Sequence, residues 1–245
     1  MARLGGQTVD LNPQLTQLGR GEPLEDTARV LSRFCDVLAI RTFAQQELAD
    51  YAHWASIPVI NALTDLEHPC QALADFLTMQ EAFGDLQGQT LAYVGDGNNV
   101  AHSLMLCGAL LGVNVRIGCP EGFEPLPGVV DQARALSVGG AQISVITDPV
   151  EAVRGAQALY TDVWASMGQE QEQAERERAF QGFCLNEDLL AEADSRAIVL
   201  HCLPAHRGEE ISAGVMEGPS SRIFDQAENR LHAQQALLAA LLGGL

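Results

Sequence analysis

Apolar positions along this chain switch repeatedly between the period of a helix and that of a strand, and the switching predicts the fold class before any residue is given a role. Residues 24–36 (LEDTARVLSRFCD) place Ala28, Leu31, Phe34 and Cys35 on one face at helical spacing, and VLAIRT then reads as a short buried strand. The pattern recurs: QQELADYAHW is helical, IPVINAL is a strand, and HPCQALADFLTMQEAF is helical through Leu73, Phe76, Leu77 and Phe83. From Gln89 onward the spacing predicts strands at 90–94, 113–118, 141–146, 157–161 and 197–202, alternating with helices near 98–111, 128–137 and 172–181. Such alternation points to an α/β protein with doubly wound parallel sheets, helices covering both faces.

The stretch FGDLQGQ (83–89) interrupts two apolar periodic segments with glycines and polar residues, which predicts a domain boundary there. The last segment, AENRLHAQQALLAALL, is a long helix with Leu231, Ala236, Leu238 and Leu242 on its apolar face, expected to dock back across that boundary. The Glu- and Gln-rich GQEQEQAERERAF reads as a solvated helix or a lid.

Composition narrows the chemistry. All 14 basic residues are arginine, so Schiff-base catalysis, pyridoxal phosphate attachment and a Walker lysine are excluded. A net charge of −18 repels nucleic acid and anionic membranes, which leaves small molecules as ligands and requires a local arginine site for any anion. No apolar run reaches the roughly 20 residues of a membrane span, and MARLGGQTVDLNPQ lacks a signal-peptide core, so cytoplasmic residence is expected. The six cysteines are far apart, as reduced thiols would be, and the histidines form no H-x-x-x-H pair, so no metal is expected.

Candidate chemistry sits at strand ends and helix starts. LAYVGDGNNV has the strand, glycine loop and helix start of a phosphate-binding fingerprint, but Val100 occupies the sixth position of G-x-G-x-x-G, which argues against a nicotinamide-dependent oxidoreductase. Asn98 and Asn99 are then polar ligand contacts at the carboxyl edge of a sheet, or the glycines merely start a helix. In TDLEHPCQALADF, Pro69 suits the first helical position, which puts His68 at the N-cap and Gln71 in the first turn. A neutral imidazole and a carboxamide there polarise a carbonyl or hold an anion, whereas a lone histidine at a helix start is otherwise only a cap. Arg41 ends VLAIR and Asp162 ends ALYTD, positions suited to phosphate and to an amine. In AIVLHCLPAHRGEEI the strand ends in His201-Cys202, whose side chains face opposite ways, which weakens a cysteine-hydrolase reading.

DTARVLSR, HPCQ, GDGNN, DVWASMG, HCLPAHRGEE and FDQAENR, in this order and at these spacings, resemble the ornithine carbamoyltransferase family over nearly the whole chain from about Leu4. The resemblance implies two domains, residues 1–84 completed by the C-terminal helix 227–245 for carbamoyl phosphate and residues 85–226 for ornithine. It also implies a homotrimer, no cofactor and no metal, and carbamoyl transfer from carbamoyl phosphate to L-ornithine, giving citrulline in arginine metabolism. Carried over by position, Arg41, His68, Gln71 and Arg230 resemble the carbamoyl phosphate contacts, and Asn99, Asp162, Ser166 and Met167 the ornithine contacts. Cys202 and Leu203 resemble the pair at which the two substrates meet, and Cys202, His68 and Arg41 are the residues expected to carry catalysis.

The family's Ser-x-Arg-Thr-Arg phosphate loop has no counterpart in these 245 residues. The sequence therefore reads as an N-terminally truncated carbamoyl phosphate domain, expected to transfer carbamoyl groups poorly and to leave sheet edge and apolar helix faces exposed. The alternative from another class is a non-catalytic amino-acid-binding or assembly subunit.

Overall fold

The structure, a computed structural model, describes residues 1–12, 21–165 and 173–243. Two parallel sheets organise it. In the first region α1 (Leu24–Leu31), β1 (Leu38–Arg41), α2 (Gln45–Trp54) and β2 (Val59–Leu63) lead into α3 (Pro69–Phe83). Strands β1 and β2 pair in parallel, Leu38 opposite Val59 and Arg41 opposite Leu63, with a register shift between Ile40 and Arg41.

The second region follows the turn after Phe83: β3 (Thr90–Val94), α4 (Asn99–Leu111), β4 (Asn114–Gly118), α5 (Pro127–Leu136), β5 (Ile143–Ile146), α6 (Pro149–Val153) and β6 (Ala158–Thr161). After these come α7 (Gln173–Ala179), α8 (Glu187–Glu192), β7 (Ile198–His201), α9 (Ala213–Met216) and the long α10 (Ile223–Gly243). The five strands lie in the order β5-β4-β3-β6-β7, all parallel. The chain winds outward from β3 to one edge and returns to its other side, so the switch point falls at β3.

Alternation along β3 feeds two cores. Leu91 and Tyr93 pack with Leu104, Met105 and Val130 of α4 and α5, whereas Ala92 and Val94 pack with Val153, Leu189 and Val215 of α6, α8 and α9. Every residue of β3, β6 and β7 is buried, as expected of strands covered on both faces. Side chains such as Leu91, Leu104 and Tyr160 each contribute about 1.5–3 kcal/mol of hydrophobic stabilisation.

Three expectations from periodicity need correction. Helix α1 stops at Leu31, so Phe34 is 79% exposed instead of continuing a buried face. On α3 Leu73 is exposed, while Cys70, Ala72, Ala74, Asp75, Phe76, Thr78 and Met79 are buried, because the helix is covered by α4 on one side and α10 on the other. Helix α10 docks on α3 through Gln226 and Asn229, while Ile223 packs into the core of α6, α8 and α9, and Leu231 and Leu242 are left exposed. Its contact is polar: Gln226 Nε2 donates to Asp75 Oδ1 at 2.6 Å, and Asn229 Nδ2 donates to Thr78 Oγ1 at 3.0 Å and to Glu81 Oε2 at 2.6 Å. Buried carboxamides of this kind fix one docking geometry, since any slip strands their hydrogen bonds.

Candidate active site

The carboxyl ends of β1, β3, β6 and β7 and the starts of α3 and α4 converge on one cleft of about 1010 Å³. Open α/β sheets present ligand sites at this edge. Arg41, His68, Asn99, Asp162, Cys202, Leu203 and Arg230 all line it. Gln71 lies in the first turn of α3, 1% exposed and not on the cleft wall. Ser166 and Met167 lie outside the described residues.

One wall is cationic. Pro69 fixes the first position of α3, which leaves His68 at the N-cap, but the imidazole makes no capping bond. Its backbone N–H instead donates to Ser103 Oγ at 2.7 Å, and Nδ1 has no partner among the described residues. Burial, helped by the charges of Arg230 and Arg41, lowers the His68 pKa to about 4. The ring is therefore neutral at ordinary pH, free to donate to a developing oxyanion and too weak a base to collect a proton. Below it, Gln71 Nε2 donates to Asp75 Oδ1 at 2.8 Å, while Gln71 Oε1 has no partner. Burial, only partly offset by hydrogen bonds from Gln226, Gln71 and Tyr160, pushes the Asp75 pKa up to about 7.

The opposite wall is anionic. Asn98 caps α4, its Oδ1 accepting from Val100 N at 2.9 Å and Ala101 N at 3.2 Å, while its Nδ2 donates to Asp162 Oδ2 at 2.9 Å. Asn98 is thus a cap and a brace for Asp162 rather than a free ligand contact. Asn99 Nδ2 donates to the Thr64 carbonyl at 2.6 Å, tying α4 to the end of the first sheet. Cys202 Sγ donates to Asp162 Oδ1 at 2.9 Å. Burial first, and the Asp162 charge second, raise the Cys202 pKa well above its usual range, so the sulfur is a thiol donor and not a thiolate nucleophile.

His201 faces away from Cys202, as the strand alternation requires. It is 1% exposed, its Nδ1 accepts from Leu203 N at 2.8 Å, and its Nε2 meets Glu210 Oε1 at 3.1 Å. An Nδ1 that accepts carries no proton, so Nε2–H donates to Glu210. This bond secures Leu203 at φ 60, a left-handed conformation costly for a branched side chain, just before the cis Leu203–Pro204 peptide.

Two parts of the site were not read from the sequence. Arg176, inside the Glu/Gln-rich run expected to be solvated, is 6% exposed and donates to Asp96 Oδ2 at 2.7 Å and to the Trp164 carbonyl at 2.8 Å. A single arginine in a run of acids carries no periodic signal for this. Gly97 has a packing reason: a Cβ there would stand 2.2 Å from Pro125 N. Asp162, His201 and Cys202 bring donor atoms within 4.8 Å of one another, but both nitrogens of His201 are engaged by Leu203 and Glu210, so the set is closed by its own bonds.

The comparisons agree with this geometry. Residues 1–81 match the carbamoyl-P binding domain of aspartate/ornithine carbamoyltransferase, and residues 87–241 match its Asp/Orn binding domain. An ornithine carbamoyltransferase from Prochlorococcus marinus (strain MIT 9313) is 86% identical over 245 residues, covering 100% of this chain and 77% of that relative. The crystal structure of ornithine carbamoyltransferase from Gloeobacter violaceus is 56% identical with a TM-score of 0.89, over 99% of this chain and 79% of that one. The ornithine carbamoyltransferase structure from Pyrococcus furiosus is 50% identical with a TM-score of 0.96, over 100% of this chain and 79% of that one. With both domains matched in chain order, and with a cleft walled by cations on one side and by an aspartate on the other, this chain belongs to the aspartate/ornithine carbamoyltransferase family.

Proposed function

We propose that this chain transfers the carbamoyl group of carbamoyl phosphate to the side-chain amine of L-ornithine, giving L-citrulline and phosphate. The observation that carries the reading is the polarity of the cleft: Arg41 and Arg230 flank a neutral His68 on one wall, and Asp162 with Cys202 stands on the other. Such a cleft aligns an anionic donor with a cationic amino acid.

In this reading Arg41 and Arg230 neutralise the phosphate, His68 donates to the carbamoyl oxygen as it gains negative charge, and the Gln71 oxygen, buried and open in the first turn of α3 behind the cleft wall, accepts from the carbamoyl amine when the donor seats against the start of that helix. Asp162 and Cys202 receive the ornithine amine, and Asn99, Ser166, Met167 and Leu203 complete its contacts. The uncharged amine attacks the carbonyl carbon, the tetrahedral intermediate collapses, and the bond to the phosphate oxygen breaks. His68 is too weak a base to take the proton and His201 is turned away, so the leaving phosphate receives it. Alignment and electrostatics suffice, with no cofactor in the scheme. Residues 1–84 with the C-terminal segment 227–245 form the carbamoyl phosphate domain and 85–226 the ornithine domain. We further assign a cytoplasmic homotrimer acting in arginine biosynthesis; the exposed Val30 and Phe34, away from the cleft lining, support self-association.

Equilibrium binding of ornithine with and without carbamoyl phosphate, together with citrulline formation, tests the proposal. Ornithine binding strengthened by carbamoyl phosphate, with citrulline produced slowly, is the expected result. Ornithine binding indifferent to carbamoyl phosphate and without product would make the chain an amino-acid-binding subunit.

A further inference from the structure

Asp75 is a fully buried carboxyl group that the scheme above leaves unused. It is 0% exposed, on the α3 turn that follows Gln71. Its Oδ1 collects two amides, Gln71 Nε2 at 2.8 Å and Gln226 Nε2 at 2.6 Å. Gln226 in turn accepts from the His201 backbone N–H through Oε1 at 2.8 Å, and its Nε2 lies 3.2 Å from Tyr160 Oη. A single carboxyl thus joins the start of α3, the start of α10 and the end of β7, immediately before Cys202.

The chemistry of this junction decides which way Gln71 points. Oδ1 accepts from both amides in the carboxylate and equally in the acid protonated on Oδ2, so the Gln71 nitrogen faces it and the carbonyl oxygen faces away. That oxygen is buried and has no partner among the described residues. A buried acceptor left open costs about 1–3 kcal/mol unless a ligand supplies a donor. Without Asp75, nothing among the described contacts of Gln71 prevents the carboxamide from turning over and presenting N–H instead.

We propose that Asp75 is a positioning residue that orients the Gln71 carboxamide as an acceptor for the carbamoyl amine and, through Gln226, ties it to the β7 end that carries Cys202. This inference rests on the proposed function. It predicts a specific discrimination: the site recognises the –NH2 of carbamoyl phosphate and rejects acetyl phosphate, which has a methyl group at the same place and cannot donate.

The test is binding of carbamoyl phosphate and of acetyl phosphate, followed by phosphorus NMR, to the unsubstituted chain and to the Asp75→Ala and Asp75→Asn variants. The unsubstituted chain should prefer carbamoyl phosphate, and Asp75→Ala should reduce that preference by on the order of tenfold, one oriented hydrogen bond. Asp75→Asn keeps an oxygen where both amides can donate and should restore most of the preference, a rescue that a purely structural role does not require. A preference unchanged in Asp75→Ala overturns the positioning role while leaving the proposed function standing. Equal loss in Asp75→Asn also overturns it, because the amide retains the acceptor. No preference in the unsubstituted chain sinks the proposed function and this inference together.

Discussion

The two sheets differ in how well they are enclosed. Strands β3, β6 and β7 have no exposed residue, whereas β1 reads buried, exposed, intermediate, exposed, and only Leu63 of β2 is buried. A two-stranded sheet is marginal unless something packs on it, and here α2 and α3 supply much of the cover. The cleft is shared between them: the first region supplies Arg41 and His68, the second supplies Asp162 and Cys202. Half of the site therefore rests on the less stable part of the molecule, a common place for ligand-responsive segments.

Core truncation gives the largest expected contrast. Leu91→Ala, in the fully buried β3, should cost about 2–5 kcal/mol, whereas Ile60→Ala, half-buried in β2, should cost about 1 kcal/mol. Urea denaturation of the two variants measures both, and similar losses would abolish the distinction between the sheets.

Acidification sets two buried groups on opposite slopes. His68 falls from 6.5 to about 4 on folding, so the unfolded chain binds the extra proton and stability is lost as pH drops through that window. Asp75 rises from 3.8 to about 7, so the folded chain binds the extra proton and stability is lost as pH rises between those values. The effects are worth roughly 3 kcal/mol for His68 and roughly 4 kcal/mol for Asp75, and they oppose each other. Asp75→Asn should make stability fall more steeply from pH 6.5 to 4 than in the unsubstituted chain, and His68→Gln should reverse the trend. Parallel stability curves for all three proteins would show that neither group is perturbed.

The two walls of the cleft should also separate in kinetics. His68→Ala should lower turnover on the order of 10²-fold with ornithine affinity little changed, because its donor acts as negative charge develops. A lower melting temperature with unchanged turnover would reduce His68 to a helix start. The smallest effect is in thiol labelling. Cys35, half-buried in the first region, should be alkylated before Cys202, whose thiol is held protonated, and bound ornithine should slow Cys202 further. Labelling of Cys202 that ignores ornithine would remove it from the amine site.

The parallel strands and the residues at their ends were legible because apolar runs closed by a polar residue have few other readings. His68, Asp162 and Cys202 sit at such punctuation, and the structure gathers them in one cleft. Illegible were features built from buried polar pairs. Gln226 and Asn229 interrupt the apolar period of α10, so periodicity chose Leu231 and Leu242 for a face that the structure leaves exposed. Arg176 was hidden for the same reason: its partner, Asp96, lies 80 residues away in sequence, and charge composition alone cannot distinguish a solvated arginine from a buried one.

Helix α10 has a mechanical consequence. It begins beside β7, where Gln226 reaches the His201 backbone, and runs on to the first sheet, where Leu237 and Leu238 face Ala39 and Ile60 across a small cavity. The chain thus crosses between the two sheets twice, once after Phe83 and once along α10. Two plates pinned at a single point can turn about any axis, but plates pinned at two points turn only about the line that joins them. The ties from Asn99 Nδ2 to the Thr64 carbonyl and from the His68 backbone N–H to Ser103 Oγ are further pins, which hold that remaining angle as well and so fix one wall of the cleft against the other.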